Sequence, residues 1–112
     1  MRSIFLITIF IFSSTTFAAG WTTTSPVDHV EIIRGQGFEI KGDFGNPSSC
    51  TAANTVFVAI NHPQYDQLLS MSLSAFMGGK KLRIYSHRCV DYGWHGGTYN
   101  ELTGAGSMYL HK

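Results

Sequence analysis

The sequence predicts a small, mainly β domain with one helix set between its third and fourth strands. Two observations carry this. Short β-branched or alternating runs recur at Val30–Ile33, Phe38–Lys41, Asn54–Ile60, Lys81–His87, Tyr99–Leu102 and Ser107–Leu110, and glycine-rich turns separate most of them. Between the third and fourth runs the pattern switches to helical spacing over Gln64–Met77.

The chain of 112 residues begins with a segment set apart from this domain. Arg2 supplies a positive start, Ile4 to Phe12 form an apolar run interrupted by Thr8, and Ser13 to Ala18 turn small and polar. That order is a secretory signal peptide. Thr16 and Ala18 are small residues three and one before a cut at Ala18/Ala19, whereas a cut after Ala19 would set bulky Phe17 at the outer position. Residues 1–18 are therefore expected to be removed and 19–112 to form one exported domain. The apolar run is about half of the roughly 20 residues that a membrane span needs, and no later segment could insert.

The seven Asp and Glu face eight Lys and Arg, one of which, Arg2, leaves with the leader. A balanced mature domain gives no electrostatic reason to bind nucleic acid or an acidic membrane. A domain this small has a marginal core that a covalent staple would help. Cys50 and Cys89 are the only cysteines, and export places them where a disulfide persists, so an intramolecular Cys50–Cys89 bridge is expected. Two free thiols or an intermolecular bridge are the alternatives.

Gly20 to Asp28, with Trp21, a threonine run and Pro26, reads as an irregular lead-in. Val30, Ile32 and Ile33 then form a strand that Gly35-Gln36-Gly37 turns into Phe38–Lys41, a hairpin. The turn formers of Gly42–Ser49 deliver the chain to Cys50. Asn54–Ile60 is apolar on both faces, the pattern of a central strand. Pro63 suits a helix start, and Gly78-Gly79 a helix end. Within the helix, Tyr65, Leu69, Leu73 and Phe76 form one apolar stripe, Leu68, Met71 and Ala75 a second, and Asp66, Ser70 and Ser74 a narrow polar one. In the fourth strand Leu82 and Ile84 point one way, and Lys81, Arg83, Tyr85 and His87 the other. This order of elements fits an OB-fold-like small barrel, closed or partly open; a simple sheet with one packed helix is the alternative.

Cys50 with NTVFVAI after it, the helix YDQLLSMSLSAFMGGK, and LRIY leading to Cys89 resemble the B subunits of bacterial five-B-subunit toxins, in particular those like the subtilase cytotoxin B subunit. Trp21 and the early hairpin fit as well. The resemblance spans most of the mature chain and rests on hydrophobic spacing. It implies an OB-fold protomer that assembles into a ring, usually of five, binds cell-surface glycans or glycoproteins, and in toxins accompanies a separate catalytic subunit. If one helix stripe fills the protomer's own core, the second, Leu68, Met71 and Ala75, is left for a neighbour. One broad face filling a single core is the alternative.

Glycan binding calls for an aromatic face against the sugar ring, with donors and acceptors for its hydroxyls. Asp91, Tyr92, Trp94 and His95 offer these in one loop, with Tyr85 on the neighbouring strand; Trp94 could equally cap the barrel. No nucleophile elbow, HExxH or paired-acid motif points to catalysis. His29, His62, His87, His95 and His111 lack metal-ligand spacing. The expected function is thus a secreted, noncatalytic, glycan-binding homo-oligomer without metal or cofactor. The alternative is a small secreted or periplasmic protein that inhibits or sequesters another protein as a monomer or dimer.

Overall fold

A computed structural model describes residues 19–91 and 96–112. Nine strands and one helix are found there: β1 (Gly20–Trp21), β2 (Ser25–Pro26), β3 (His29–Ile33), β4 (Gly37–Lys41), β5 (Ala52–Ala59), α1 (Tyr65–Gly78), β6 (Lys81–Ser86), β7 (Arg88–Val90), β8 (Tyr99–Glu101) and β9 (Met108–His111). The fold is mainly β with a single helix, as the sequence predicts. The expected hairpin is β3–β4, and at its turn Gly37 approaches β5 so closely that a Cβ would collide with the Val58 carbonyl.

Two sheets form, and they do not close into a barrel. In one, β6 pairs with β1 and β2 along one edge and with β9 along the other. The second runs β3-β4-β5-β8-β7, with β5 and β8 parallel. β3 ends the second sheet and β9 borders the first, yet the two strands do not pair. The reason is α1, which packs against β3, β5, β6 and β9 and so occupies the opening that a closed barrel would seal with strand hydrogen bonds.

The lead-in is not irregular. Trp21 lies opposite Tyr85, and Ser25 opposite Leu82. Thr22 and Ser25 are buried there, the Thr22 hydroxyl accepting the Ile84 N–H at 2.9 Å. Thr22, between β1 and β2, thus satisfies a backbone donor of β6, while the Ser25 hydroxyl accepts the Asp43 N–H at 2.8 Å, signals that hydrophobic periodicity does not carry.

The core lies between the sheets and the helix. Phe38, Ile40, Val56 and Val58 come from the second sheet, Leu82 and Ile84 from the first, and Leu68 and Ala75 from α1. The alternation expected along β6 is therefore observed. β5 is buried on both faces, because Phe57 joins Ile33 in a smaller cluster on the side away from the helix.

The helix ends where expected, at Gly79 in the left-handed conformation (φ 64°). Its outward stripe is not the expected one. Leu68 and Ala75 belong to the protomer core and Met71 packs partly buried against it, whereas Leu73, Phe76 and Met77 are exposed, Met77 at 81%. Ser72 explains the rotation. It is fully buried on the inward face, where its hydroxyl donates to the Leu68 carbonyl at 2.8 Å, so a residue of the inward stripe looks polar in the sequence.

A disulfide joins Cys50 and Cys89, with a Cα–Cα distance of 5.6 Å. It ties the loop before β5 to β7, next to a buried polar network. Asn100 is fully buried; its Oδ1 accepts the Ser48 N–H at 3.0 Å and its Nδ2 donates to Asn46 Oδ1 at 3.1 Å. The Ser48 and Ser86 hydroxyls, 2.7 Å apart, link this loop to the end of β6. Among the described residues, no helix is long and apolar enough to cross a membrane.

Candidate functional site

The face of the first sheet turned away from the core gathers an aromatic cluster. Leu82 and Ile84 fill the core, so strand alternation sends Arg83 and Tyr85 outward from β6. Pairing then adds neighbours from both sides: Trp21 lies opposite Tyr85 and Tyr109 opposite Arg83. The Trp21 and Tyr109 rings stack at 5.0 Å between centroids and 14° between planes, while Tyr85 meets Trp21 edge-on at 5.2 Å.

Polar groups frame these rings. The Arg83 guanidinium lies 5.2 Å from the Trp21 ring centre, and its Nε donates to the Thr22 carbonyl at 3.3 Å. His87 borders Tyr85, and His111 meets Tyr109 edge-on. Trp21 is 38% exposed and Tyr109 49%. Two aromatic planes open to solvent beside a held cation and two imidazoles offer what a sugar ring requires: a flat apolar contact with donors and acceptors at its rim.

A cavity of about 310 Å³ adjoins this face through Tyr109. His62 and Gln67 bring polar groups to it; Met71, Leu102 and Met108 make its apolar wall. The His62 Nδ1 accepts the Gln64 N–H at 3.0 Å, which leaves the ring proton of a neutral imidazole on Nε2, a buried atom with no hydrogen-bond partner among the described residues.

Of the expected sugar-binding residues, the two described ones, Tyr85 and Asp91, lie apart. Tyr85 belongs to the aromatic face. Asp91 follows β7 in the other sheet and lines a separate pocket with Gln36, Asn61, Arg88 and Glu101. The separation arises because β6 and β7, though adjacent in sequence, join different sheets. In that pocket the Arg88 guanidinium donates twice to the buried Glu101 carboxylate, at 3.1 and 3.3 Å, which raises the arginine pKa further above its ordinary value. Tyr92, Trp94 and His95 lie outside the described residues.

Trp21 and Tyr109 were not expected as site residues. The outward Arg83 and Tyr85 were legible from alternation, but only the pairing of β1 and β9 with β6 places these two rings beside them. Comparison of the chain with protein-family models, with curated proteins and with solved structures finds no match.

Proposed function

We propose that the chain is an exported, noncatalytic binding module that takes glycans on the face formed by Trp21, Tyr85 and Tyr109, and that it works as a ring-shaped homo-oligomer of the toxin B subunit kind. The observation that carries the sugar-binding reading is the solvent-exposed stack of Trp21 and Tyr109 with Arg83 held beside it. Large aromatic rings exposed in this way serve recognition more readily than the stability of one small domain. A disulfide in the fold fits export, and the signal-peptide pattern of residues 1–18 supplies the route.

The assembly reading draws support from α1 and the strand edges beside it. β3 and β9 lie at the borders of their sheets, and α1 between them leaves Leu73, Phe76 and Met77 outward, with Ile32 of β3 exposed as well. An apolar helix face flanked by two strand edges suits a second copy of the same chain, with β3 of one protomer meeting β9 of the next. Two different surfaces joined head to tail close into a ring when the rotation allows.

The direct test is a glycan array probed with the mature protein and with Trp21→Ala. Binding to a defined set of glycans that the variant loses supports the reading. A folded protein that binds no glycan, or a Trp21→Ala protein that binds unchanged, ends it. Mass in solution tests assembly separately, because a strict monomer removes the ring.

A further inference from the structure

We propose that the outer face of the first sheet binds linear glycans that carry an anionic group, sulfate or carboxylate, on successive sugars. The inference rests on the glycan-binding reading above and gives that face its ligand class. Alternation sets Lys81, Arg83 and Tyr85 of β6, with His87 after them, along one row at intervals of about 7 Å, a span of roughly 20 Å. The His87 ring lies 6.2 Å from that of Tyr85. Strand pairing supplies the neighbours of this row: Pro26 and His111 flank Lys81, Tyr109 lies beside Arg83, and Trp21 beside Tyr85. Every one of these positions is basic, aromatic or proline, and none is acidic.

The balanced composition of the domain conceals this unevenness. Glu31, Glu39 and Glu101 belong to the second sheet, Asp66 to the helix, and Asp28, Asp43 and Asp91 to segments between strands. Lys41 and Arg88 pair with Glu39 and Glu101, whereas neither Lys81 nor Arg83 has a carboxylate within ion-pair distance among the described residues. Arg83 is also held in place. Its guanidinium lies 5.2 Å from the Trp21 ring centre and its Nε donates to the Thr22 carbonyl, so the two terminal nitrogens remain to face an oxyanion. That planar fork matches the paired oxygens of carboxylate or sulfate, and a side chain already fixed loses little freedom on binding.

Spacing selects the kind of anion. A single terminal acidic sugar would engage one cation and leave the rest of the row without a counterpart. Cations repeated along an exposed strand instead match anions repeated along a chain. Trp21 and Tyr109 stack within the row, where the sugar rings between charges find an apolar contact, and His87 and His111 add imidazole donors for hydroxyls at either side. A nucleic acid also repeats its charge, but the proposed export of the domain sets it among glycans.

The experiment is calorimetric titration of the mature, disulfide-bonded protein with a heparin oligosaccharide, with the same oligosaccharide desulfated and N-acetylated, with a neutral glucose oligosaccharide, and with single-stranded DNA of equal charge. Saturable binding of the heparin oligosaccharide is expected, weakening as salt is raised. Lys81→Gln combined with Arg83→Gln should weaken it by about tenfold or more. Arg34→Gln, which removes a charge at the β3–β4 turn, should leave it unchanged. Both Lys81 and Arg83 are exposed, and Lys81→Gln alone keeps the test valid if the double variant folds poorly. The desulfated form assigns the oxyanion: retained binding points to carboxylates and lost binding to sulfates, either of which supports the proposal. No binding of the heparin oligosaccharide, equal binding of the neutral one, DNA bound as tightly, an undiminished double variant, or an equal loss in Arg34→Gln would overturn it. Neutral glycans bound on the array and lost in Trp21→Ala would then leave the glycan-binding reading standing, whereas an array without binding removes both.

Discussion

Asn100 shows how much one buried polar residue holds together. Its amide serves Ser48 and Asn46, in the loop that leads to Cys50, from a strand of the second sheet. Asn100→Ala would leave the Ser48 N–H buried without its acceptor, a loss of about 1–3 kcal/mol. Urea unfolding is expected to show a lower midpoint with an unchanged slope. Tyr65 is sensitive in another way. Burial, then the neighbouring Asp66 carboxylate, raise its phenol above the ordinary 10.0, so the folded state disfavours the phenolate. The stability tied to the neutral ring is complete below pH 10.0 and falls as pH rises through the folded value. Tyr65→Phe is expected to flatten that alkaline decline in unfolding midpoints, since phenylalanine has no proton to lose. Neither role is legible in the sequence: Asn100 occupies a short strand of mixed pattern, and Tyr65 gains its environment from Phe38, 5.3 Å away across the core.

At the scale of elements, the sequence conveys the helix, its glycine end, the β3–β4 hairpin and the alternation of β6, because each is a local pattern of hydrophobicity or turn chemistry. It does not convey which stripe of α1 faces inward. Both stripes are apolar, and the choice depends on Ser72 entering the core with its hydroxyl satisfied by Leu68. The two stripes should therefore respond differently to charge. Leu68→Glu would bury a carboxylate in the core and is expected to unfold the protomer. Phe76→Glu on the outward stripe is expected to leave the circular dichroism spectrum and unfolding midpoint of the protomer nearly unchanged while breaking up the proposed ring, read as a fall in mass by sedimentation. The short β1 and β2 were also hidden, since they owe their place to Thr22 and Ser25 and not to apolar alternation.

For the whole molecule, two features hold distant parts together. The Cys50–Cys89 bridge closes a long loop across β5, α1 and β6. Replacing both cysteines by serine is expected to cost about 2–4 kcal/mol in unfolding free energy. α1 fills the opening between β3 and β9, which is why the strand order suggestive of a barrel yields two sheets that stay apart there. The same topology assembles the aromatic face from both ends of the domain, Trp21 and Tyr109 being brought together only through β6. That face is central to the proposed function, and backbone and indole NMR shifts, recorded while titrating the glycan that binds best on the array, test it most directly. The account predicts that perturbations concentrate on Trp21, Arg83, Tyr85 and Tyr109. Perturbations confined to the outward helix stripe or to the pocket beside Asp91, with the Trp21 indole unmoved, would contradict it.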